Sequence, residues 1–92
     1  MDLNELRERI DRTDGEIIRL VTARMDIAAE IAAFKIANGL PVYQPAREQE
    51  KLADVASKTR EDLRAEMQAL FRLIIEQSRS YQARLNGGTE VG

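Results

Sequence analysis

The sequence predicts an all-α protein, a three-helix protomer built long, short, long and assembled as a helical homodimer. Apolar residues recur at alternating spacings of three and four along most of the 92 residues, the period of an amphipathic helix. No stretch shows the alternation of a strand. The first helical segment is also too long to be covered by a globule of this size, so a second copy must cover it.

The first helix carries Leu3, Leu6, Ile10, Thr13, Ile17, Leu20, Arg24, Ile27 or Ala28, and Ile31 on one face. It is expected to start near Asp2 or Asn4 and to end at "NGLP", where Asn38-Gly39 supplies a left-handed cap and Pro41 forbids continuation. Some 33 to 35 residues make a rod of about 50 Å, whereas a lone chain this long should have a radius of gyration nearer ~12 Å. The uncovered stripe therefore predicts an obligate C₂ dimer with the long helices antiparallel or crossing.

The second helix is short. In "QPAREQEKLADVAS", Pro45 suits the first helical position, and Glu48, Leu52, Val55 and Ala56 share one side. After a polar gap at "SKTRED", a third helix is expected from about Glu61 to Leu85, with Leu63, Met67, Leu70, Phe71, Ile74, Tyr81 and Leu85 as its stripe. Residues 1–86 form one helical domain in this reading, and 87–92, "GGTEVG", a disordered tail.

Composition closes off many chemistries. The chain has no Cys and no His, which removes thiolate nucleophiles, the commonest general base and the commonest metal ligands. Fourteen basic against sixteen acidic residues leave a net charge of −2, and charges of alternating sign without an aromatic platform argue against nucleic acid. No apolar run reaches the ~20 residues of a membrane span, and the acidic start is unlike a signal peptide. A cytoplasmic location is the expectation, with no membrane partner.

Several polar residues sit where apolar ones belong. In "RMDIAAEIAAFK", Arg24 falls within ~20° of Ile17 and Ile31, and Lys35 within ~20° of Arg24. Inward cations are costly without a counter-charge, so either they set helix register and snorkel, or they await an anionic ligand. At ~16 Å between their Cα atoms, two long side chains could converge on one small dianion. Arg47 stands in the first turn of the second helix, where the dipole disfavours a cation unless an anion binds there. Its neighbour Glu48 is favoured by the dipole yet faces inward, one turn before Leu52. Lys51 is expected to pair with an exposed acid. In the third helix Ser78 lies within the stripe and Gln82 one turn on at its edge, each explicable as a local helix bond and a boundary amide. Arg7, ~25 Å along the rod from Arg24, cannot reach the same small ligand in its own chain but could in an antiparallel partner, so it is either a surface charge or an intersubunit ligand.

These residues together resemble the all-helical chorismate mutase family, the AroQ class. "LRERIDRTDGEIIRLVTARMDIAAEIAAFK" is similar to that family's first helix, "PVYQPAREQE" to its loop and second-helix start, and "LFRLIIEQSRSYQ" to its third-helix signature. The resemblance implies an intertwined dimer with two equivalent sites. Each would comprise Arg24, Lys35, Arg47, Glu48, Ser78 and Gln82 of one subunit with Arg7 of the other. It implies rearrangement of chorismate to prephenate, which needs no cofactor and no metal. Lys35, Gln82, Arg24 and Glu48 would be catalytic, the whole set would bind substrate, and Ala28, Ile31, Ile74 and Ile75 would form apolar walls. Gln44 stands where some members carry an aspartate. Isochorismate-pyruvate lyase and 4-amino-4-deoxychorismate mutase relatives share the "RMD" and "FK" stretches, but there an apolar residue tends to follow the arginine that matches Arg47. A non-enzymatic helical dimerisation module is the competing reading from a different class.

Overall fold

The computed structural model describes residues 2–86, so the expected tail at 87–92 lies outside the described residues. Three α-helices follow one another, α1 (Leu3–Ala37), α2 (Pro45–Lys58) and α3 (Arg64–Leu85), with a 3-10 turn at Glu61–Leu63 before the last. There is no strand among the described residues.

Each boundary has a local cause. Asp2 caps α1, its carboxylate accepting from the Glu5 amide at 2.9 Å, which satisfies one of the free N–H groups of the first turn. At the other end Gly39 takes φ +67, and the Leu40 amide reaches back to the Lys35 carbonyl at 2.8 Å while the Gly39 amide meets the Ile36 carbonyl at 3.3 Å. This pair of bonds is a Schellman closure, and it turns the chain sharply into the 38–44 loop. Pro45 opens α2 at its first position, where the missing N–H costs nothing.

The third helix begins three residues later than the periodicity suggests. Leu63 sits at φ −121, ψ 5, outside the α region, so its amide closes only a short turn onto the Arg60 carbonyl at 3.1 Å. Arg64 then ties the corner, its Nε donating to the Ala56 and Thr59 carbonyls at 3.1 and 3.0 Å.

α3 packs against both α1 and α2. Ala28 and Ala32 of α1 and Ala83 of α3 are buried, and their small side chains let the two long helices approach closely. Leu52 and Val55 bury the inner side of α2, and Gln68 Nε2 caps the contact by donating to the Leu52 carbonyl at 3.2 Å. The buried face of α3 runs through Ile75, Ser78 and Ala83. That face is offset from the expected stripe, whose Leu63, Leu70 and Leu85 remain exposed. The offset follows from packing on two neighbours at once, which a single stripe cannot describe.

The protomer is elongated, 55 × 26 × 17 Å with a radius of gyration of 16.2 Å, against the ~12 Å of a compact chain of this length. Residues 2–20 are all exposed, including Ile10 at 61% and Leu20 at 56%. Half of the apolar stripe of α1 therefore has no cover within the protomer. No helix among the described residues is long and apolar enough to cross a membrane.

Candidate active site

Where α1, the 38–44 loop, the start of α2 and the middle of α3 meet, they form a half-open cavity of about 280 Å³, just below the ~300–1,000 Å³ of small-molecule sites. Ile27, Ala28, Ile31, Val42 and Ile75 give it apolar walls. The polar groups come from all sides: Arg24 and Lys35 from α1, Gln44 from the loop, Arg47, Glu48 and Lys51 from α2, and Ser78, Arg79 and Gln82 from α3. Ser78 and Gln82 are one helical turn apart and so present their polar groups to the same space.

The bonding is specific. Arg24 Nη1 donates to Ser78 Oγ at 3.1 Å, across the α1–α3 contact. Ser78 is buried and its hydroxyl donates in turn to the Ile74 carbonyl at 2.9 Å. Lys35 Nζ donates to Gln44 Oε1 at 3.0 Å and to the Val42 carbonyl at 3.3 Å, so the loop folds over the end of α1. Gln82 Nε2 donates to the Ala28 carbonyl at 2.8 Å, leaving its second N–H for another acceptor.

Charge is unevenly compensated. Arg47 pairs with Glu50 at 3.2 Å, Lys51 with Asp54 at 3.3 Å and Arg79 with Glu48 at 3.2 Å. Arg24 and Lys35, by contrast, meet neutral acceptors and no carboxylate among the described residues. Burial lowers the Arg24 guanidinium from its ordinary pKa, because desolvation penalises the charged form. Two cations with neutral partners, held over an apolar floor, are chemically suited to a small dianion.

The sequence pattern of the family described as chorismate mutase type II matches residues 6–83. The chain belongs to this family. Its helices superpose on a solved chorismate mutase from Thermus thermophilus with a TM-score of 0.79 at 32% identity, covering 83% of this chain and 96% of that one. It is 45% identical over 49 residues to the bifunctional chorismate mutase/prephenate dehydratase of Aquifex aeolicus, matching 53% of this chain but 14% of that protein. It is 37% identical over 46 residues to the 4-amino-4-deoxychorismate mutase of Streptomyces venezuelae, matching 50% of this chain and 45% of that protein. This chain thus spans about a seventh of the length of the bifunctional relative.

Of the positions that the chorismate mutase resemblance singles out, Arg24, Lys35, Arg47, Glu48, Ser78 and Gln82 line this cavity together. Arg7 does not. It lies on the exposed first third of α1, beside Leu3, Leu6, Ile10 and Thr13. Ile74 is also absent from the wall and contributes its carbonyl to Ser78 instead. Arg24 and Lys35 do not wait for an anion without protein partners: both have neutral ones, supplied by Ser78, Gln44 and Val42. Lys51 pairs with Asp54, yet it also lines the cavity.

Arg79 went unread in the sequence. It enters the cavity from α3, pairs with Glu48, and stacks over the Tyr43 ring at 4.5 Å from its centroid. The signal was present in "QSRSYQ" as a cation directly after Ser78, but an arginine one position off a stripe reads as surface until the loop that covers it is placed.

Proposed function

We propose that this protein is a chorismate mutase, converting chorismate to prephenate by an intramolecular rearrangement in which the ether C–O bond breaks as a C–C bond forms. The observation that carries this is the pair Arg24 and Lys35, cations with only neutral protein partners on a half-enclosed apolar cavity. Substrate and product are isomers, and no proton, electron or group is exchanged with the protein. A site without His or Cys is adequate to such a reaction.

Arg24 and Arg47 bind the two substrate carboxylates, with Ser78 holding the Arg24 guanidinium in place. This selects the folded conformer in which the reacting carbons approach, which is orientation catalysis. Lys35 and the free N–H of Gln82 donate to the ether oxygen as it gains negative charge, stabilising the transition state more than the ground state. Glu48 accepts from the ring hydroxyl. Gln44, by accepting from Lys35, aims the ammonium without neutralising it.

The functional unit in this reading is an intertwined homodimer. The uncovered stripe on residues 2–20 of α1 supports it, and Arg7 of the partner subunit completes the carboxylate contacts at the open side of the cavity. The test is to mix purified protein with chorismate and follow prephenate. Turnover above the uncatalysed rate supports the assignment, and a folded protein with none refutes it. Isochorismate in a parallel assay separates the lyase relatives.

A further inference from the structure

Glu48 and Arg79 form the most sheltered ion pair in the cavity, with side chains 22% and 24% exposed and Arg79 Nε 3.2 Å from Glu48 Oε2. The Tyr43 ring lies against the guanidinium at 4.5 Å, so Arg79 is clamped between the 38–44 loop and α2. The two cations that α2 brings to the cavity are paired on their own helix, Arg47 with Glu50 and Lys51 with Asp54. Arg79 is thus the cation that compensates the carboxylate projecting into the site.

That compensation has a consequence for substrate choice. A carboxylate by itself accepts from a hydroxyl, and it binds an ammonium in the same place more strongly, because opposite charges add to the hydrogen bond. With a guanidinium already on Glu48, the corner carries no net charge. An ammonium hydrogen-bonded to Glu48 would lie within a few ångströms of Arg79, and like charges in a sheltered site repel. A neutral hydroxyl meets no such penalty.

We propose that Arg79, acting through Glu48, makes this site select a substrate whose ring substituent is a neutral hydroxyl over one that carries an ammonium at the same position. The inference rests on the chorismate reading and deepens it. The disfavoured compound is 4-amino-4-deoxychorismate, whose amine is protonated near neutral pH. Arg79 is a positioning residue for Glu48 rather than a group that touches the reacting bonds.

The experiment measures kcat/KM for chorismate and for 4-amino-4-deoxychorismate at pH 7, with the unmodified protein and with Arg79→Met, Arg79→Gln and Arg79→Lys. The uncharged variants should raise the amino-to-hydroxyl ratio by at least about tenfold, mainly through KM, and the lysine variant should hold it near the original value. A merely structural role would lower both substrates together and leave the ratio unchanged, and that result overturns the proposal, as does a lysine variant that behaves like methionine. Inhibition of the unmodified protein provides a second reading independent of any variant's folding: the amino compound should inhibit chorismate turnover with a constant at least about tenfold above the KM for chorismate, and equality overturns the proposal. If the unmodified protein turns over neither compound, the chorismate reading itself falls, a different outcome from an unchanged ratio.

Discussion

Arg24 and Ser78, 54 residues apart in sequence, are joined by a 3.1 Å hydrogen bond from Nη1 to Oγ that spans the α1–α3 contact inside the cavity. The hydroxyl is fixed in turn by the Ile74 carbonyl, so the guanidinium is aimed by the backbone of α3. Ser78→Ala removes an aim point and leaves the charge. It should raise the KM for chorismate by about three- to tenfold with a smaller effect on kcat, and cost about 1 kcal/mol of stability. Steady-state kinetics and urea unfolding check both.

Lys35 and Gln82 are assigned to the ether oxygen, where charge develops only in the transition state. Lys35→Ala and Gln82→Ala should each lower kcat by about 10²–10³ with little change in KM. A change in KM alone would place them on ground-state binding instead. Gln82→Ala also frees the Ala28 carbonyl from its 2.8 Å bond, so it should lower stability by about 1 kcal/mol as well.

Arg7 is given a role across subunits. Arg7→Ala and Lys35→Ala homodimers should each be nearly inactive. When unfolded and refolded together at equal concentration they should regain about a quarter of the unmodified activity, since half of the dimers are mixed and each mixed dimer has one intact site. Absence of recovery would keep Arg7 out of the partner's site.

The uncovered face of α1 is the surface on which the proposed dimer rests. Ile10→Asp or Leu20→Asp places a carboxylate in that face, where both residues are exposed in the protomer. Either should abolish the dimer on gel filtration and with it the cooperative unfolding transition, because burying an unpaired charge costs several kcal/mol. A folded, dimeric variant would contradict the assignment of this face to the interface.

Asp54 anchors the outer face of α2. Hydrogen bonds from Lys58 and then Lys51 hold its carboxyl below the usual range. A depressed pKa means stability that is present above the ordinary value of 3.8 and lost as pH falls through it toward the folded value. Asp54→Asn should therefore lower stability at pH 7 and converge with the unmodified protein as the pH falls well below 3.8, as seen by urea melts across that range.

Much of the fold was legible because its signals are local. The Asp2 cap, the Gly39 closure and Pro45 at the head of α2 are each fixed by neighbouring residues, and the period of Leu3 through Ile31 reports one continuous helix. The start of α3 was not, since the 3-10 turn at Glu61–Leu63 depends on Arg64 bonding back to α2. At the site, Arg24, Lys35 and Ser78 stood out as polar groups on apolar faces. Arg79 and the Gln44–Lys35 bond depend on how the 38–44 loop folds over α1 and α3, and periodicity carries no information about a loop. The chemistry itself came from family resemblance, because two inward cations specify a dianion and not which one.

The cavity between α1, α2 and α3 is proposed to rearrange chorismate. The decisive measurement is to incubate the purified protein with chorismate and resolve the products by chromatography. Prephenate is expected as the sole product, formed at a rate far above the uncatalysed one and lost in Lys35→Ala. A folded dimer that yields no prephenate above background, or the same yield from Lys35→Ala, would contradict it.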